Sequence, residues 1–122
     1  MKIKNNLSSL TANKLSIKKN NYTLIIGETP SKGARSPKLW NKVYKKFNQD
    51  LKMYPADVSS SQLYSTIKFL KDDSFFLGGS ITTPFKEKIL KYVNKLTNEA
   101  KTIGSINTIK KVEKNFLGSN TD

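Results

Sequence analysis

The chain has 122 residues, the size of one domain. It holds no Cys and no His. That excludes a disulfide framework, thiolate and imidazole metal sites and His-based catalytic triads, so no metal is expected. No apolar run approaches the roughly 18 residues a membrane helix needs, so no membrane partner is expected. The net charge is +13, from 22 basic and 9 acidic residues. Yet the only arginine is Arg35, and the lysines are spread along the whole chain. Readers of bases and phosphates favour the planar fork of Arg. Lys and Asn rising together fit a compositional drift of the source genome. Nucleic acid is therefore not the expected partner, and a small anion suits the same charge.

Residues 1–21 are polar, rich in Lys, Asn and Ser, and the first acid is Glu28. They read as a mobile tail or one frayed helical turn, ahead of a domain spanning 22–122. The early lysines have no apolar core behind them, so a secretory signal is not expected. A transit peptide would prefer Arg. A cytoplasmic location follows as the expectation. Tyr22 to Ile26 is a β-rich run that stops at Gly27, and Glu28 to Arg35 is a loop. Ser36-Pro37 opens a helix, Ser as N-cap and Pro at the first helical position. Leu39, Val43 and Phe47 follow at helical spacing, with Trp40 and Tyr44 beside them. Leu51 to Asp57 is a second strand, with Pro55 marking an edge or its end.

Ser59 to Lys71 is a second helix with Leu63, Ile67 and Leu70 on one face. Ser74 to Gly79 is a third strand closed by paired glycines. Thr83-Pro84 is expected to open a helix as Ser36-Pro37 does, with Phe85, Ile89 and Val93 as its stripe. Leu96 to Ile103 is a short helical piece. Ile106 to Val112 and Asn115 to Leu117 suit a hairpin through Glu113 and Lys114. The alternation predicts a three-layer α/β/α fold with a mixed, mostly parallel sheet. In such sheets ligands bind beyond the carboxyl ends of the strands, where both Ser/Thr-Pro junctions fall.

Two helix N-termini in one crevice would favour a carboxylate or phosphate. By themselves Ser36 and Thr83 read first as plain N-caps. Lys86 sits in the first turn after Pro84, where a positive charge opposes the dipole. That is a poor place for a structural Lys, although so many lysines allow one there by chance. Asn107-Thr108 follows Gly104-Ser105-Ile106, and Asn120-Thr121-Asp122 follows Gly118-Ser119; such residues serve as caps or turns, or as a polar rim at a strand end.

Taken together these residues carry a resemblance. Arg35-Ser36-Pro37 with Asn41 resembles the S-x-S-P-x-x-[HN]-N signature of shikimate dehydrogenases. Ser80-Ile81-Thr82-Thr83-Pro84-Phe85-Lys86 resembles N-V-T-x-P-x-K. Gly104 to Thr108 is similar to G-A-x-N-T, and Gly118 to Asp122 to G-x-N-T-D. All four occur in family order. The chain thus resembles the substrate-binding domain of the shikimate/quinate dehydrogenase family.

The resemblance implies an NADP-dependent oxidoreductase of the shikimate pathway, serving chorismate and aromatic amino acid biosynthesis. It would interconvert shikimate and 3-dehydroshikimate. Ser36 would bind the carboxylate; Ser80, Thr82, Lys86, Asn107 and Asp122 would complete the substrate site. Lys86 and Asp122 would be the catalytic pair, a cation stabilising charge on the reacting oxygen beside a carboxylate that relays its proton.

Three positions depart from the family pattern. Ala34 stands where a first Ser is expected, Ser80 where an Asn is, and Trp40 where a His is common. A lost polar partner in a site costs about 1–3 kcal/mol. No G-x-G-x-x-G is present, so the implied cofactor has no expected site in this chain. Turnover would need a nucleotide-binding domain, separate or missing. The alternative is a non-catalytic module of the same ancestry that binds a small carboxylate.

Overall fold

The computed structural model describes residues 6–18 and 20–121. Strands β1 (Tyr22–Gly27), β2 (Lys52–Asp57), β3 (Phe76–Ile81), β4 (Lys95–Leu96), β5 (Thr108–Val112) and β6 (Asn115–Ser119) form one sheet. Its order is β2-β1-β3-β5-β6-β4. β1 pairs in parallel with β2 and β3, and β4 in parallel with β6. β5 runs against both neighbours. The mixed, mostly parallel sheet is the one expected. β1 is buried along its whole length, as suits an apolar run inside a parallel sheet.

The helices are α1 (Leu7–Leu10), α2 (Ser36–Lys46), α3 (Leu63–Asp72), α4 (Phe85–Lys88) and α5 (Asn98–Ile103). α3 delivers Leu63, Ile67 and Leu70 to the core, the face its periodicity predicts. They join Leu24, Ile26, Ile81, Phe85, Ile89, Ala100, Ile106 and Phe116 in one cluster. Opposite it, α2 covers the other face of the sheet and buries none of its own residues.

Several expectations need correction. Asn6 to Lys18, expected as part of a tail, is docked. Leu7, Leu10 and Leu15 are buried, and Asn6 and Ser9 cap α1 reciprocally. This segment also closes the outer edge of β2. Ala12 donates to the Asp57 carbonyl at 2.8 Å. The Asn13 amide donates to the Pro55 carbonyl at 2.8 Å and accepts from the Asp57 N–H at 3.2 Å. Asn41 of α2 accepts from the Met53 N–H at 2.7 Å and donates to its carbonyl at 3.1 Å. The outward backbone groups at 53, 55 and 57 are thus satisfied by two asparagines and one amide, and Pro55 has no N–H to leave open.

The paired glycines do not close β3, which continues to Ile81. They permit close approach: a Cβ on Gly79 would overlap the Leu24 carbonyl, and one on Gly78 the Ile109 carbonyl. Ser36 is not an N-cap. Arg35 holds that position, so Ser36 is the first helical residue and Pro37 the second. The junction at Thr83-Pro84 does not repeat the first one. Its peptide bond is cis, Pro84 flanks the helix, and α4 lasts one turn before a 3-10 turn at Ile89–Tyr92. So short a helix has little macrodipole, and its field does not set Lys86 apart from a structural lysine. β4 was not expected; it takes Leu96 out of the helical piece, and Thr97 caps α5 through the Ala100 N–H at 3.3 Å.

Candidate functional site

At the end of the sheet where β1, β3 and β6 finish and β5 begins, a crevice of about 610 Å³ opens beside α2. The chain reaches it by strand alternation. Ile25, Ser80 and Thr108 are lateral neighbours in the sheet and all line it. Leu24, Gly79 and Ile109, one residue on in register, form the neighbouring row, and Leu24 and Ile109 belong to the core.

Each expected site residue but one falls here. Ser36 enters from the start of α2, Ser80 from β3, Thr82 from the turn after β3, Lys86 from α4 and Asn107 from the lead into β5. Asp122 lies outside the described residues. Thr83, the second junction residue, lines another hollow with Glu28, Thr29, Pro30, Lys32, Gly33 and Ala34.

Backbone bonds tie these pieces together. Thr82 donates its N–H to the Ile26 carbonyl at 2.9 Å, and Ile81 donates to the Asn107 carbonyl at 2.8 Å. The Ile106 N–H meets the Lys86 carbonyl at 2.9 Å. Gly27 lets the end of β1 touch Thr82, where a Cβ would strike the Thr82 methyl. The Asn107 side chain is oriented by its neighbours. Its amide donates to Thr121 Oγ1 at 3.0 Å, and its carbonyl oxygen accepts from the Thr108 hydroxyl at 2.8 Å and the Thr121 N–H at 3.2 Å. Nearby, the Asn120 amide donates to the Ser105 carbonyl at 3.1 Å. The two motif segments that close the chain therefore brace each other.

Among the described lining residues the charged ones are Lys86 and Lys110, with no carboxylate. The leading N–H groups of α2 lack intrahelical partners, Pro37 contributing none. The chemistry of such a crevice suits an anion that also carries hydroxyls. Lys110, Thr108, Thr121 and Tyr44 are lining residues that motif reading did not single out as site residues. Tyr44 was within reach of periodicity, since Ser36, Trp40 and Tyr44 are four residues apart along one row of α2.

A second cavity, about 550 Å³, opens under α1 and α3, lined by Leu7, Leu15, Ile17, Tyr22, Phe69 and Phe75 among others. It lies at the opposite end of the sheet. There the Tyr22 hydroxyl donates to Asp73 at 2.5 Å, and Lys111 donates to the Asp73 carbonyl. Burial pushes the Tyr22 hydroxyl well above its ordinary value, with the Asp73 hydrogen bond and charge adding to it. Burial holds Lys111 down against the attraction of Asp73 and Asp72. Asp73 also accepts from the Phe75 N–H at 3.0 Å, so these groups tie β1 to the turn before β3.

A nicotinamide dinucleotide does not fit the residues present. The β1–α2 connection holds a 3-10 turn at Pro30–Lys32, and among the described residues no glycine-rich turn brings a pyrophosphate to a helix start. Among the described residues no group of His, Cys, Asp or Glu is placed to hold a metal. No helix in them is long and apolar enough to cross a membrane.

Residues 25–109 match the shikimate dehydrogenase substrate binding domain. A shikimate dehydrogenase (NADP(+)) of Carboxydothermus hydrogenoformans is 37% identical over 100 residues, covering 82% of this chain and 35% of that protein. The pentafunctional AROM polypeptide of Scheffersomyces stipitis is 37% identical over 101 residues, 80% of this chain and 6% of its own length. Among solved structures, shikimate dehydrogenase 1 of Peptoclostridium difficile superposes with a TM-score of 0.78 at 30% identity, over 83% of this chain and 37% of that one. The chain spans about a third of the length of the shikimate dehydrogenases it matches.

Proposed function

The chain belongs to the shikimate dehydrogenase family through its substrate-binding domain, and we propose that it binds shikimate and supplies the protein groups that act on it. The observation that carries this is the meeting of Ser36, Ser80, Thr82, Lys86 and Asn107 around one positively charged crevice. Ser36 and the first turn of α2 hold the carboxylate. Ser80, Thr82 and Asn107 take ring hydroxyls, Asn107 being oriented by Thr108 and Thr121. Lys86 donates to the oxygen whose proton is exchanged and stabilises charge on it. Asp122 is assigned as the partner that receives that proton.

NADP, named for the relatives, would be held by a polypeptide segment beyond these residues, in the same protein or a separate one. The dinucleotide supplies the hydride chemistry when bound. This chain's part is to orient the ring and hold the proton. The setting is that of a cytoplasmic enzyme of the shikimate pathway, with neither nucleic acid nor membrane as partner.

Calorimetric titration of the chain and of Lys86→Ala with shikimate tests this. The expected result is saturable binding that weakens about tenfold or more in the variant, the scale of a lost charged hydrogen bond. Absence of binding by the unaltered chain overturns the assignment.

A further inference from the structure

We propose that Trp40 determines which ring acids the crevice accepts, by stacking its indole on the flat face of the bound ring. This rests on the reading of the crevice as a site for a hydroxylated ring carboxylate. Ser36, Trp40 and Tyr44 all line the crevice, and four-residue spacing puts them in one row of α2. The row starts at the carboxylate anchor and runs about 12 Å along the wall, at 1.5 Å per residue.

The rings of Trp40 and Tyr44 are 5.9 Å apart and tilted by 30°, a single aromatic surface. It is held in place. The Tyr44 hydroxyl is 3.1 Å from Thr23 Oγ1, and Asn41 fastens the helix to Met53 of β2 from both its amide atoms. The indole is not spent on folding: Trp40 is 47% exposed and α2 buries no residue. Ile25 and Met53 extend the apolar wall. Ser80, Thr82, Lys86 and Asn107 bring polar groups to the same crevice.

A ligand that satisfies both carries its carboxylate and hydroxyls around the rim of the ring and offers a bare carbon face. A ring with sp² carbons is flat enough to present one. A saturated, puckered ring with an added hydroxyl turns polar groups towards the indole and leaves them without partners there.

Trp40 is the only tryptophan, so its fluorescence reports directly on the wall. The chain is titrated with shikimate, with 3,4-dihydroxybenzoate and with quinate, the saturated ring bearing one more hydroxyl. Affinities for Trp40→Ala and Trp40→Phe come from calorimetry. Shikimate and dihydroxybenzoate should change the fluorescence saturably. Trp40→Ala should weaken both about tenfold and quinate less than threefold, and Trp40→Phe should restore most of the loss. Trp40→Ala binding all three acids as the unaltered chain does overturns the proposal, as does an equal loss for all three. If none of the acids binds the unaltered chain, the shikimate reading fails with it. Shikimate binding that ignores Trp40 removes only the specificity claim.

Discussion

The two faces of the sheet are built from the same strands and treated oppositely. On one face Leu24, Ile26, Ile81, Phe76 and Phe116 are sealed beneath α3, α4 and α1. On the other, α2 stands over β2 and β1 without burying a residue, and the remaining surface is the crevice. Period-two alternation is what allows it. Each strand sends one row of side chains to hold the molecule together and the next to a surface left open for a ligand. The packed face carries the stability, and the open face keeps polar and aromatic groups that folding does not consume.

Breaking the packed face should have the largest effect. Phe76 is buried between the rings of Tyr22 and Phe116, 5.6 and 6.0 Å from its own. Phe76→Ala should cost about 3–5 kcal/mol, read from the urea midpoint at unchanged slope. Such a loss takes a large share of a small domain's stability, so ligand binding should vanish with the fold.

Asn41→Ala sharpens the comparison from the other side. Two hydrogen bonds to Met53 are lost, and the edge N–H of Met53 turns to water. The expected cost is about 1–2 kcal/mol of stability. Because Asn41 positions the row of Ser36, Trp40 and Tyr44, shikimate affinity should fall by a larger factor than for a surface substitution of equal cost. Titration at a temperature well below unfolding distinguishes the two effects.

The smallest predicted change is a pH effect far from the crevice. Tyr22 is raised above its ordinary value of 10.0, so the unfolded chain ionises it first. Its contribution to stability is complete below pH 10 and lost as pH rises beyond. Lys111 is held below its ordinary 10.5 and acts in the opposite sense, adding stability as pH rises through its lowered value towards 10.5. Tyr22→Phe isolates the tyrosine. It should cost about 1 kcal/mol at pH 7 through the lost bond to Asp73, and it should lessen the fall in stability above pH 10. Denaturant midpoints at pH 7, 9.5 and 10.5 measure both. An alkaline fall identical in both proteins would mean another group is responsible.

Residues whose role is local could be read from the chain. β1, α3 and the β5–β6 hairpin follow from composition and period, and of the two readings of Pro55, an edge or a strand's end, β2 takes the edge, where a missing N–H is tolerated. The motif segments around Ser36, Ser80 to Lys86 and Asn107 could be recognised because their side chains stay near the ends of local elements. Other features had no local signal. Nothing in Lys95-Leu96 marks a strand until β6 offers it an edge. Gly78-Gly79 reads as a stop until Leu24 and Ile109 are seen pressing on it from either side. Leu7, Leu10 and Leu15 look stranded in a polar segment until β2 and α3 supply their burial.

The sequence by itself determined the alternation of strands and helices, the absence of thiol and imidazole chemistry, and the polar residues of the motif segments. These depend on period, on residue type and on neighbours a few positions away. Tertiary structure decided which strand paired with which, that Asn13 and Asn41 closed the edge of β2, and that the first leucines joined the core. It also decided that Trp40 and Tyr44 faced the same space as Lys86 and Asn107. The physical reason is range: hydrogen bonds and buried surface between residues dozens of positions apart form only when the whole sheet assembles.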